Sequence, residues 1–228
     1  MKLLVATGNP GKLGEVREIL AGQAARAARG LPEPSAGADA GGAPEGPALE
    51  LVSLAQLKLP EPAEDGATFE ENAAIKARAA AVASGLWTLA DDSGLCVDAL
   101  GGAPGLRSAR YAETEQARRE KLLAAMGSAP ASRRGAYFYC AVALCSPDGK
   151  RIFRAHGRVD GRIATSPRGS NGFGYDPLFV PAEVPTRTLA ELPQEEKNRL
   201  SHRGRALERL APLLARLAQE GDLPAQPA

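Results

Sequence analysis

Two histidines and three cysteines are all that this 228-residue chain offers a soft or borderline metal. His156 and His202 are too few for a histidine-built centre. Cys96, Cys140 and Cys145 lack paired-motif spacing, which argues against a structural zinc site or a disulfide framework. They read as small core hydrophobes. No run of 18 apolar residues occurs, so no helix is expected to span a membrane. Asn9, Lys12, Glu15, Arg17 and Glu18 interrupt the first 20 residues, leaving no signal-peptide core. The expected compartment is the cytoplasm. Charge nearly cancels, 28 basic against 27 acidic residues, so no bulk field draws nucleic acid. What is present, 44% hydrophobic residues, fits one well-packed domain or two small ones. A hard cation held by carboxylates stays open.

Residues 2–6 read as a first strand, Thr7-Gly8-Asn9-Pro10-Gly11-Lys12 as a loop, and the next stretch as a helix running to about Arg29. Strand, Gly-rich loop with a Lys, then helix is how an α/β protein holds phosphate. Residues 30–47 are Pro, Gly, Ala and Asp in low complexity and read as a surface excursion. A short strand is expected at 49–54, then an acidic loop with Glu61, Glu64 and Asp65. Thr68, with Glu71 three residues on, is an N-cap signal for a helix over 69–84, closed by Gly85. Residues 86–90 are the next strand, and Asp91-Asp92-Ser93-Gly94 is expected to turn the chain at its end. A charged helix over 113–126 and a hairpin of 135–145 with 151–161 follow. The last helix is expected over 201–217, with a frayed tail at 218–228. Helices and strands with no repeat give an α/β fold around a mixed sheet.

Asp91 and Asp92 are the sharpest chemical signal. If the strand continues, they point to opposite sides and only one can face a cleft. A carboxylate facing phosphate needs an intervening cation, and Mg²⁺ binds one or two carboxylates plus substrate phosphates. The bland reading of DDSG is a capped turn. Asn72 and Lys76 are four apart on one helix face, which surface pairing alone would also explain. Lys12, Lys197, His202 and Arg203 are the candidate anion binders. Lys197, Asn198, Ser201 and His202 are expected at the start of one helix, with Asn198 and His202 on a shared face. In Gly172-Phe173-Gly174-Tyr175-Asp176-Pro177 the glycines permit close approach, the aromatics offer a stacking plane, and Asp176 could accept a ring N–H. A structural turn is the alternative.

These residues closely resemble the inosine/xanthosine triphosphate pyrophosphatase family. The matching stretches are ATGNPGK at 6–12, TFEENAAIKARAAA at 68–81, LADDSGLCVDALGGAPGLRSARYA at 89–112, GFGYDPLF at 172–179 and EKNRLSHRGRAL at 196–207. They follow family order through about residue 217. The resemblance implies an elongated mixed sheet flanked by helices, in two lobes around a nucleotide cleft, as a single domain and a homodimer needing Mg²⁺. It implies hydrolysis of ITP, dITP and XTP to the monophosphate and pyrophosphate. It makes Asp92 the general base and a metal ligand, Glu64 the further metal acid, and Ser93 a substrate contact. Thr7, Gly8, Asn9, Pro10, Gly11 and Lys12 become the triphosphate loop. Phe173, Gly174, Tyr175, Asp176, Lys197, His202 and Arg203 become nucleotide contacts.

Three departures stand out: an insertion near 24–47, Glu113 where the family commonly has Gly, and Arg118 where Asn is usual. The rival readings are a pyrophosphatase of the Maf kind and a nucleotide-binding module without catalysis. No nucleic-acid partner is expected.

Overall fold

The computed structural model describes residues 1–28 and 49–223; the segment at 30–47 and residues 224–228 lie outside the described residues. In chain order come β1 (Lys2–Val5), α1 (Pro10–Ala28), β2 (Glu50–Ser53), α2 (Phe69–Ser84), β3 (Trp87–Val97) and α3 (Glu115–Met126). Then come β4 (Gly135–Cys145), β5 (Ile152–Ile163), β6 (Phe179–Pro181), α4 (Gln194–Leu200) and α5 (His202–Glu220). The sheet order is β2-β1-β3-β4-β5-β6. β1 runs parallel to β2 and β3, and the remaining pairs are antiparallel. The α/β mixed sheet expected from the sequence is therefore observed.

Local chemistry sets several boundaries. Thr68 accepts the Glu71 N–H at 3.1 Å, and Gly85 closes α2 in the left-handed region. Pro10, which has no N–H to leave unpaired, opens α1. α5 packs on β5 where Gly157 leaves room: a Cβ there would overlap the His202 carbonyl and lie 2.6 Å from the Ala206 nitrogen.

Side-chain alternation along β3 and β4 divides the first core. Leu3, Trp87, Leu89, Cys140 and Val142 pack under α1 and α5, while Leu4, Ala90, Ala141 and Ala143 pack under α2. The distal halves of the same strands carry a separate core of Leu95, Val97, Phe138, Val159, Phe179, Leu122 and Met126. Two cores on shared strands make two lobes, and Asp91–Ser93 fall between them.

Three expectations are corrected. Asp91-Asp92-Ser93-Gly94 is not a turn at a strand end; it lies inside β3, paired with Val142, Ala141, Cys140 and Tyr139. Continuous antiparallel pairing outweighs the turn preference of Asp and Gly. The last helix is two helices, because Ser201 (ψ 151°) is extended and caps α5 by accepting the Gly204 N–H at 2.9 Å. The ordered chain also passes residue 217: α5 runs to Glu220, Asp222 pairs with Arg151 at 2.7 Å, and Leu223 is buried. Among the described residues no helix is long and apolar enough to cross a membrane.

Candidate active site

β1 ends at Val5, opposite Leu89, while β3 runs on for eight more residues, to Val97. The edge of β3 beyond Leu89 therefore faces the short loop Thr7–Asn9 and the first turn of α1, to which Pro10, Gly11 and Lys12 belong although the sequence suggested loop. A crevice outside the carboxyl end of a parallel strand is where α/β sheets bind ligands.

Side-chain oxygens cap the backbone of this segment. Asn9 Oδ1 accepts the Gly11 and Lys12 N–H groups at 2.9 and 3.3 Å, and Thr7 Oγ1 accepts that of Asn9 at 3.2 Å. Glu61 reaches over from the acidic loop and accepts the Gly8 N–H at 3.2 Å. A carboxylate thus sits on the donors expected to meet phosphate.

Asp91 points to the α1/α5 side and is closed in. Lys12 Nζ lies 3.1 Å from it, Arg203 Nη2 3.0 Å and Ser93 Oγ 3.2 Å. Burial would raise its pKa, but the charges of Lys12 and Arg203 prevail and hold it far below the ordinary carboxylate range. Arg203, 1% exposed, also pairs with Glu15 and donates to Ser93 Oγ at 3.0 Å. Glu15 meets Lys197 at 3.3 Å, and Lys197 meets Asp176 at 2.8 Å. This buried chain of charges joins α1, β3, α4, α5 and the Phe173 loop.

Asp92 points to the α2 side and has lighter company. Asn72 Nδ2 donates to it at 2.9 Å and Lys76 Nζ stands 4.0 Å away. Burial raises its pKa, and Lys76 only partly offsets that. Asn72 also accepts the Gly66 N–H at 2.8 Å, tying the acidic loop to Asp92. Lys76 bonds Glu64 at 2.6 Å, and Arg110 holds the other Glu64 oxygen at 3.0 Å. The face carrying Asn72 and Lys76 points inward, with both side chains buried, so surface pairing does not describe it.

Glu64 and Asp92 are the residues that could hold a cation. Both carboxylates bear on the Lys76 amine. Among the described residues no group of three or more His, Cys, Asp or Glu forms a protein cage. Two hard oxygen donors and no cage fit a cation that takes its remaining ligands from water and substrate phosphate.

The second wall is the Phe173 loop with α4 and α5. Phe173 is half-buried; its N–H donates to Asp176 at 2.9 Å, and the amine of Lys197 lies 5.0 Å from its ring centre. Tyr175 is turned into the distal core, its hydroxyl donating to the Ser108 carbonyl at 3.1 Å, so the exposed stacking plane is that of Phe173 alone. Asp176 Oδ2 is engaged by Lys197 and the Phe173 N–H, which makes it an anchor of the loop. His202 stacks on Phe138 with ring centres 4.6 Å apart. Its Nδ1 is buried without a partner, and burial, aided by Arg203, keeps the ring neutral well below the usual range. The break at Ser201 separates Asn198 from His202, contrary to the expected shared face; Asn198 instead donates to Glu18 at 2.8 Å.

The structure thus links Thr7 to Lys12, the β3 acids, Ser93, Phe173, Lys197 and Arg203 by direct contacts, with Glu64 joined through Lys76 and His202 stacked on Phe138 beside Arg203. Glu15, Asn72 and Lys76 join them as residues the sequence reading gave no role. Their one signal is position: Glu15 precedes Val16 and Lys76 precedes Ala77, both buried, so each flanks the apolar stripe of its helix.

Known proteins resemble this chain over nearly its whole length. The family model described as the Ham1 family matches residues 3–213. A dITP/XTP pyrophosphatase of Corynebacterium efficiens is 47% identical over 227 residues, covering 96% of this chain and 99% of that protein. One from Geobacter sulfurreducens is 48% identical over 210 residues, covering 90% and 92%. The solved structure of a HAM1 protein from Coxiella burnetii aligns with a TM-score of 0.75 at 40% identity, over 95% of this chain and 99% of that one. Likeness in sequence and in fold, each over nearly the whole length, has one reading: the chain belongs to the Ham1 family.

Proposed function

We propose that this protein hydrolyses ITP, dITP and XTP to the nucleoside monophosphate and pyrophosphate, clearing deaminated purine nucleotides from the cytoplasmic pool. The observation that carries the reading is the β3 pair: Asp91 is tied up in ion pairs with Lys12 and Arg203, while Asp92, held by Asn72, shares the Lys76 amine with Glu64. The names of the relatives support the substrate class.

The triphosphate lies along Thr7 to Lys12, displacing Glu61 from Gly8. Lys12 and the N-terminus of α1 balance its charge. Asp92 accepts a proton from water, the water oxygen bonds to the α-phosphorus, and the bond from that phosphorus to the bridging oxygen breaks. Pyrophosphate leaves with the electron pair. Asn72, donating to Asp92 at 2.9 Å, holds the carboxylate in place to take that proton. Mg²⁺, held by Glu64 and Asp92, would neutralise phosphate charge and lower the pKa of bound water.

Phe173 offers its ring to the base. Neutral His202, with one donor and one acceptor nitrogen, meets the six-position oxygen. Adenine, with an amino group there, leaves that donor unpaired. Arg203 has Nε, Nη1 and Nη2 all engaged by Asp91, Glu15 and Ser93, so it supports this wall and does not itself read the base. The family resemblance further supports a homodimer, checked by solution mass.

Product analysis over ITP, dITP, XTP, ATP and GTP tests the reading. Pyrophosphate from the first three, with little turnover of ATP, is expected. Orthophosphate as first product, or equal turnover of ATP, overturns it. Tight binding without pyrophosphate release would point to the non-catalytic module.

A further inference from the structure

The Phe173 loop is held from two sides. On the cleft side Asp176 bonds Lys197 and the Phe173 N–H. On the outer side the guanidinium of Arg119, on α3, donates from Nη1 to the Gly174 carbonyl at 2.7 Å. We propose that Arg119 is a positioning residue for the nucleobase wall, setting where the Phe173 ring stands through the backbone beside it. The inference rests on the function proposed above.

α3 carries Arg118, Arg119 and Lys121, and all three donate to main-chain carbonyls. Arg118 bonds Ala112 at 3.0 Å and Lys121 bonds Tyr111 at 2.8 Å, both within the segment leading into α3. Arg119 alone among them reaches a distant segment. Its side chain is 20% exposed and Glu115 lies 3.6 Å from it, one turn back, which orients the fork. α3 itself is fixed, since Leu122 and Met126 are buried in the distal core. The bond therefore runs from a packed helix to a loop.

The receiving end needs fixing. Gly174 has φ +61° and Gly172 φ +75°, so the loop depends on conformations open to glycine and entropically costly to hold. The Phe173 ring packs on the first turn of α1: a Cβ on Gly11 would lie 3.1 Å from it. A rotation of the Gly174 peptide would move that ring relative to both the phosphate loop and His202. Arg119 and Tyr175 make side-chain ties on the outer side, and the Ala190 segment adds backbone bonds to Asn171 and Asp176. Only the first carries charge, which roughly doubles the strength of a hydrogen bond.

The test compares wild type, Arg119→Met and Arg119→Lys in the full chain. Met keeps the stem and its packing; Lys keeps the charge on one donor nitrogen without the planar fork. KM for ITP should rise about tenfold in Arg119→Met, the low end for one charged hydrogen bond, with kcat within about threefold. The kcat/KM preference for ITP over ATP should fall, and Lys should restore part of both. Inhibition by inorganic tripolyphosphate, which needs only the Thr7–Lys12 side, should not change. Amide exchange over residues 172–176, measured in the free protein, should speed up in Arg119→Met. An equal loss for ITP, ATP and tripolyphosphate, or unchanged kinetics and unchanged exchange, overturns the proposal. Should wild type itself release no pyrophosphate from ITP, the functional reading fails, while the exchange data still decide whether Arg119 holds the loop.

Discussion

Asp91 and Asp92 are adjacent and chemically identical, yet one strand puts them in opposite environments. Asp91 meets Lys12 and Arg203 at ion-pair distance; Asp92 meets a neutral amide, with its nearest ammonium at 4.0 Å. Burial acts on both. Only on the Asp91 side do cations overcome it, so one pKa falls and the other rises. The alternation of β3 therefore sorts the pair: Asp91 joins the ion-paired network with Lys12 and Arg203, and Asp92 is left with Asn72 and a more distant Lys76. Holding two carboxylates at different pKa values is a general means of dividing roles between them.

Exchanging either acid for its amide breaks this contrast at its strongest point. Asp92→Asn should lower kcat by roughly 10²–10⁴ while leaving the unfolding midpoint close to wild type. Asp91→Asn should do the reverse in emphasis. It strips a buried guanidinium of one partner, which costs about 3–5 kcal/mol when a buried pair is broken from one side. Urea titration and steady-state kinetics on both variants read the two axes. An Asp91 variant of wild-type stability without turnover would exchange the roles assigned here.

The next effect concerns which side the cation uses. Glu64→Gln should raise the Mg²⁺ concentration for half-maximal activity by at least about tenfold, since even residues that only support metal ligands carry about 10–100-fold in affinity. Asp91 is not part of that site, so residual activity of Asp91→Asn should keep the wild-type Mg²⁺ dependence. A metal titration of the two variants side by side separates them. An unchanged Mg²⁺ midpoint in Glu64→Gln would remove Glu64 from the cation site.

Much of the frame is legible in sequence because its signals are local. The Thr68 cap, the Gly85 stop and the hairpin around Ser146-Pro147-Asp148-Gly149 need no distant partner to be read. The central part of the site is not local. DDSG reads as a turn, and only its partners on β4 keep it extended. The Ser201 break has a signal in retrospect, a cap serine with an acceptor-seeking N–H three residues on, but a helical pattern on both sides hides it. Glu15, Asn72 and Lys76 are polar residues on helices, and sequence habit puts such residues in water. They are buried because they pair with one another's neighbours across elements, which no single segment encodes. Arg118, a departure from the family pattern, bonds the Ala112 carbonyl beside its own helix, so it leaves the cleft untouched.

The smallest effect is also the most specific to the closed side. His202 is kept neutral first by burial and then by Arg203; Asp91 pulls the other way, and Lys197 and Lys12 add smaller repulsions. In the unfolded chain the imidazole takes a proton near pH 6.5; in the folded protein it does not until far lower. As pH falls, the unfolded state gains that proton first. The contribution to stability is therefore complete above about pH 6.5 and is lost progressively below it, at up to about 1.4 kcal/mol per pH unit. Asp176 and Asp92, whose pKa values burial raises, act in the opposite sense as pH drops through their folded values. The informative quantity is thus the difference between wild type and His202→Gln, in which those groups largely cancel. The gap in unfolding free energy should shift in favour of the variant as pH is lowered from 7 to 5.5. Parallel curves would mean that His202 titrates freely, and that the Asp91 side is more open than its ion pairs imply.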